Sequence, residues 1–209
     1  MKNMTKIIFT TILAMMIVNF SFSQVDPSSA EYQSMKEKGL IEQPQQVVPA
    51  EPITPILPVE TGERFNGLFV PLDGSFTGPL SYCDDCYFGP FTLPFTFCFY
   101  GTNYNQFYIN NNGNVSFEGG YGSYSSTGFP VNGFGMLAPF WADVDTRNGL
   151  GGVYYKIEPT RVTVIWDNTG YFSIQGDKRN TFELIFTNGN DPLIGVGKNV
   201  AFSYADMQW

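Results

Sequence analysis

The chain has 209 residues, 43% apolar and 14% charged, with 11 basic and 19 acidic side chains and no histidine. The missing histidine excludes Ser-His-Asp and Cys-His nucleophile systems, an imidazole general base and histidine-ligated zinc. A net charge of −8 argues against a nucleic-acid partner, which requires a basic face, and nothing in the composition points to an enzyme.

Lys2 and Lys6 precede an apolar run of twelve residues, 7–18, followed by Ser21-Phe22-Ser23 and Gln24. A charged start, an apolar core and small residues at a cleavage point predict a secretory signal peptide over 1–23. The run is shorter than the roughly 20 residues that span a bilayer, so no transmembrane span is predicted in the mature chain. Cleavage removes two lysines and leaves 9 basic against 19 acidic groups, a net charge of −10. Such a surface is compatible with calcium or simply with solubility.

Residues 24–64 carry Pro27, Pro44, Pro49, Pro52, Pro55 and Pro58. The last three recur every third residue, the repeat of a polyproline II helix. This predicts a proline-rich flexible spacer, with room for a short helix around 30–38. Of the 35 aromatic side chains 31 lie in 65–209, with 20 of the 22 glycines, which places the folded domain there.

In that domain short alternating runs are separated by Gly, Asn and Pro. Residues 93–100 put Phe95, Phe97 and Phe99 on one face and Thr96, Cys98 and Tyr100 on the other. Residues 106–109 and 115–118 flank Asn110-Asn111-Asn112-Gly113-Asn114, a hairpin signal because Asn-Gly tolerates positive φ. Residues 152–158 and 161–166 form a second pair around Pro159-Thr160, with Val162, Val164 and Trp166 inward. Residues 181–187 alternate Phe182, Leu184 and Phe186 against Glu183 and Ile185, and 199–209 put Val200, Phe202 and Tyr204 on one face. At least seven short strands and Gly/Asn-rich turns predict an all-β, antiparallel β-sandwich.

Five blocks now carry a resemblance: LAPFWADVDTR at 137–147, GGVYYK at 151–156, VIWDNTGYF at 164–172, KRNTFELIF at 178–186 and FSYADMQW at 202–209. In this order they resemble the nidogen-type extracellular (NIDO) domain over 137–209. Within the aromatic region before it, 65–136, the block at 89–117 resembles the strand-and-hairpin region that precedes the domain in bacterial surface proteins. The exported N-terminus is similar to that of Bacteroidota proteins. The resemblance implies a non-catalytic extracellular module of a larger secreted or surface protein, associated with cell–matrix adhesion, with a matrix protein or glycan as partner. Family members usually run on past the equivalent of Trp209, so truncation at the C-terminus is expected. The alternatives are a polysaccharide-binding accessory module of a downstream hydrolase, and a spacer domain with no ligand.

Three groups of residues are site candidates. Asp143 and Asp145, alternate residues of a strand, share a face and can converge on calcium, with Asn148 and Gly149 in the following turn able to add an oxygen. The full EF-hand spacing is absent. The structural alternative pairs one aspartate with Arg147 or a lysine and leaves the other to cap a turn. Cys83, Cys86 and Cys98 allow three single disulfides, each leaving one thiol. A bridge from Cys98 to Cys83 or Cys86 is preferred, because it ties the loop to the sheet. Tyr121 and Tyr124, in the Gly/Ser-rich loop 119–128, are binding-loop candidates, the alternative being anchors packed on the sandwich edge. Trp141 and Trp166 are expected in the core.

Overall fold

The computed structural model of the chain describes residues 26–27, 29–41, 69–126, 128–129, 131 and 134–209. The signal peptide and the Pro52–Pro55–Pro58 repeat lie outside the described residues. The elements run α1 (Ala30–Glu37), β1 (Tyr87–Phe99), β2 (Thr102–Asn110), β3 (Asn114–Ser116), β4 (Met136–Leu137), β5 (Val144–Asp145), β6 (Gly152–Ile157), β7 (Arg161–Tyr171), β8 (Gln175–Thr187) and β9 (Val200–Met207). Two antiparallel sheets result, β1-β2-β3-β4 and β5-β7-β8-β9, with β6 on β7 beside β5. The protein is an all-β sandwich with one short helix among its described residues.

The alternation read from the sequence sets the core. Phe97, Phe107, Ile109, Val115 and Phe117 of the first sheet meet Val162, Val164, Trp166, Phe182, Leu184 and Phe186 of the second in one buried cluster. Burying a Phe or Leu side chain contributes about 1.5–3 kcal/mol, so this interface is the main source of cohesion. Phe186 takes the rings of Phe97, Phe107 and Phe117 edge-on, while Trp166 stacks on Phe182 at 5.1 Å.

Four strands, β1, β2, β7 and β8, are longer than predicted, and β7 shows why. The sequence reading ends this strand at Trp166, yet β7 continues through Asp167-Asn168 to Tyr171. Asn168 adopts φ 51° at a register shift between Trp166 and Thr169, a bulge that carries the strand onward instead of ending it. On the opposite edge of β7, β5 and β6 lie end to end, separated by a 3-10 turn at Arg147–Gly149. The segment before β1 closes the free side of β6 through Thr77, whose backbone exchanges hydrogen bonds of 2.8 and 3.0 Å with Tyr155.

The β2–β3 hairpin forms where expected, with Asn110 opposite Asn114. Its three-residue turn has a single left-handed residue, Gly113 at φ 75°. A Cβ there would stand 1.8 Å from the Phe140 carbonyl oxygen, whereas at Gly149, also φ 75°, it would meet nothing. Gly149→Ala is therefore expected to cost about 1 kcal/mol from backbone conformation alone. Gly113→Ala is expected to cost more than about 3 kcal/mol, because a packed backbone must move as well. Urea unfolding of the two variants measures the difference.

Glu183, in the middle of β8, is fully buried. Burial pushes its carboxyl up to about 8, against the Val70 N–H and Arg161, which favour the ionised form. The folded chain thus keeps a proton that an unfolded chain has already released, and stability falls as pH rises from about 5 to about 8. The thermal midpoint should decline over that range, and Glu183→Gln should make the decline shallower.

Candidate functional site

Helix α1 starts from Ser29, whose side chain accepts a hydrogen bond from the Tyr32 N–H at 3.1 Å, an ordinary N-cap. Its only buried residue is Lys36. The Lys36 Nζ stands 3.0 Å from Asp84 Oδ2, 2.8 Å from Asp85 Oδ2 and 2.6 Å from Asp143 Oδ1. It donates hydrogen bonds to Asp84 and Asp143; the contact with Asp85 is an ion pair. The rings of Tyr124 and Phe172 complete the enclosure, with centroids 4.1 and 4.3 Å from the ammonium, in cation–π range. A cup of three carboxylates and two aromatic faces thus holds one lysine from outside the sandwich.

The cup is held by a turn whose side chains are buried. Asn111 Nδ2 donates to the carbonyls of Cys83, Asp84 and Val144, and the Asn111 backbone carbonyl accepts from Trp166 Nε1 at 3.1 Å. Asn112 Nδ2 donates to Asp85 Oδ1 at 2.7 Å, and Asn112 Oδ1 accepts the Val144 N–H at 3.0 Å. Two adjacent side-chain amides therefore position the loop carrying Asp84 and Asp85 and the strand that follows Asp143. The Cys83–Cys86 disulfide closes the same loop, with Cα atoms 6.0 Å apart.

The electrostatics reflect crowding. Burial, aided by Asp85, pushes the Asp84 carboxyl up to about 7, although Lys36 pulls it down. Burial likewise pushes Asp143 up to about 6 against the same lysine. For Lys36 burial favours the neutral amine, but Asp84, Asp85 and Asp143 more than offset this and raise its pKa. The Tyr32 hydroxyl is pushed up by burial and by its hydrogen bond to Asp85.

The predicted calcium trio is dispersed. Asp143 reaches the cup. Asp145 turns to Arg147, accepting from Nε at 2.9 Å and from the backbone N–H at 3.0 Å, and also takes the Ile174 N–H. Asn148 is left-handed, at φ 54°, and exposed. The regular strand needed to keep both aspartates on one face is only Val144–Asp145. Arg147 also approaches Asp84 at 3.7 Å, which links the two acidic groups.

The preferred Cys98 bridge is corrected. Cys98 is free and exposed, because β1 alternation turns Phe97 inward and Cys98 out, while Cys83 and Cys86 pair with each other. Tyr121 packs between Phe134 and Trp141, and Tyr124 forms a wall of the cup, so both rings are half-buried. Trp141 and Trp166 are buried as expected. Lys36, Asp84, Asp85 and the two asparagines were not singled out from the sequence. The available signals were two acids inside a C-x-x-C and a helix-capable stretch with a Ser cap.

With the geometry in place, a family model described as NIDO related matches residues 63–194, well over half the chain. The chain belongs to the NIDO-related family. The NIDO-related domain is similar to Alpha-tectorin of Mus musculus, 43% identical over 60 residues, covering 28% of this chain and 3% of that protein. It is similar to Nidogen of Drosophila melanogaster, 26% identical over 113 residues, covering 41% and 8%. Dendrite extension defective protein 1 of Caenorhabditis elegans is 41% identical over 80 residues, covering 38% and 7%. The chain thus spans less than a tenth of these relatives. No solved structure matches it. Among the described residues no helix is long and apolar enough to cross a membrane.

The disulfide assignment has a direct check. Alkylation of the native, unreduced protein should label one thiol, at Cys98, and the peptide containing Cys83 and Cys86 should gain label only after reduction.

Proposed function

We propose that this NIDO-related chain is a secreted or surface-displayed, non-catalytic adhesion module whose partner is an extracellular matrix protein or glycan. The carrying observation is the family match across 63–194, which joins it to nidogen and alpha-tectorin relatives. The signal-like N-terminus, Lys2 to Gln24, agrees with export. The sandwich offers what an adhesion surface needs, a rigid core with aromatic side chains left outside it. Tyr100, at the β1–β2 turn, is 95% exposed, and a tyrosine presents a large, stiff contact face with a hydrogen-bonding tip.

Solid-phase binding of the purified chain to immobilised matrix proteins and to a glycan array tests the reading. Saturable binding to at least one of them is expected, with Tyr100→Ala weakening it by about fivefold or more. Binding to none of them above control would overturn the proposal.

A further inference from the structure

We propose that the cup of Asp84, Asp85 and Asp143 is a calcium site that the metal and the Lys36 ammonium occupy in turn, so that calcium undocks α1. Oxygen atoms of the three carboxylates already lie within 4.8 Å of one another. Two ligands on one calcium stand at most about 5 Å apart, and an all-oxygen donor set suits that hard cation. A second observation points the same way. Asp84 is fully buried, and while its Oδ2 takes Lys36, its Oδ1 has no hydrogen-bond partner among the described residues. A buried carboxylate oxygen without a partner is costly, and a metal ion would use it.

Charge supplies the drive. Among the described residues Asp84, Asp85, Asp143 and Asp145 form ion pairs with Lys36 and Arg147 alone. Arg147 is engaged mainly with Asp145 and comes only to 3.7 Å from Asp84, so Lys36 is the one cation among the described residues in close contact with the cup's three acids. A divalent ion cancels twice the charge that the lysine does, and it compensates an acidic cavity better once α1 has left.

The two halves of the site differ in how firmly they are held. The acids are fixed by the Cys83–Cys86 bridge and by Asn111 and Asn112, all belonging to the sandwich. Helix α1 is eight residues long and lies outside both sheets. It inserts Lys36 and, beside it, Tyr32 toward Asp85. A helix that short is not stable alone in water, so losing the lysine contact releases the whole segment. The cup survives its departure.

The test uses the full chain, with calcium chloride as probe and magnesium chloride as control. Calorimetry should show one calcium site, with an affinity of order 10⁻⁴–10⁻³ M, as in extracellular calcium modules. Amide exchange over residues 30–37 and Lys-C cleavage after Lys36 should rise with calcium and not with equal magnesium. Lys36→Met removes the competitor and should tighten calcium binding by about tenfold or more. Asp84→Asn should abolish binding; if that variant does not fold, Asp143→Asn, at a half-exposed position, should weaken it instead. The proposal is overturned by an absence of calcium binding in both wild type and Lys36→Met. It is equally overturned by a calcium affinity indifferent to Lys36, or by an α1 segment whose protection calcium leaves unchanged.

Discussion

Asn111 and Asn112 are fully buried at the tip of a hairpin, where turn residues ordinarily meet water, and the rest of the site depends on how their amides are satisfied. Each amide group taken out of water must recover its hydrogen bonds inside the protein, and leaving one unmade costs about 1–3 kcal/mol. Here the partners come from elsewhere in the chain: the Cys83 and Asp84 carbonyls, the Asp85 carboxylate and both backbone groups of Val144. The turn therefore acts as a staple between the loop before β1 and the start of β5. Trp166 joins it to the hydrophobic core by donating to the Asn111 carbonyl, so core packing and cup geometry are one structure.

A cup built this way concentrates negative charge in a place with little water. Buried carboxylates stay ionised only when paired, and their attraction to a partner must offset a large loss of hydration. The protein meets that requirement in two ways. Arg147, at the start of the 3-10 turn, closes on Asp145 two residues earlier at the end of β5, a local solution. For Asp84, Asp85 and Asp143 the counter-charge comes from Lys36, 107 residues before Asp143 in the chain, and burial holds the Asp84 and Asp143 carboxyls above the usual range although that ammonium pulls them down. The stretch that reads as a spacer thus includes a segment tied electrostatically to the domain. In a NIDO-related module this connects what precedes the sandwich with an acidic feature on its surface.

Much of the architecture was legible. Period-two alternation of aromatic and polar residues at 95–99, 162–166 and 182–186 identified the core faces, and the Asn-Gly turn identified the β2–β3 hairpin. The helix at 30–38 was also visible. Where the reading stopped short, at Asp167-Asn168, a bulge supplied the continuation, and bulges are settled by cross-strand pairing that no local pattern encodes.

The sequence by itself determined the sandwich and its aromatic core, because side-chain period and turn residues act over a few positions along the chain, and its motif blocks carried the resemblance to the NIDO family. Only the tertiary structure decided the site. Asp143 and Asp145 looked like partners from their spacing, yet they answer to different cations, since their directions depend on where Lys36 and Arg147 arrive. Cys83 and Cys86 paired with each other because β1 turned Cys98 to solvent. Lys36 became a cup ligand through a contact across more than a hundred residues, and charge attraction and amide burial at that separation depend on the folded backbone, which leaves no periodic mark in the sequence.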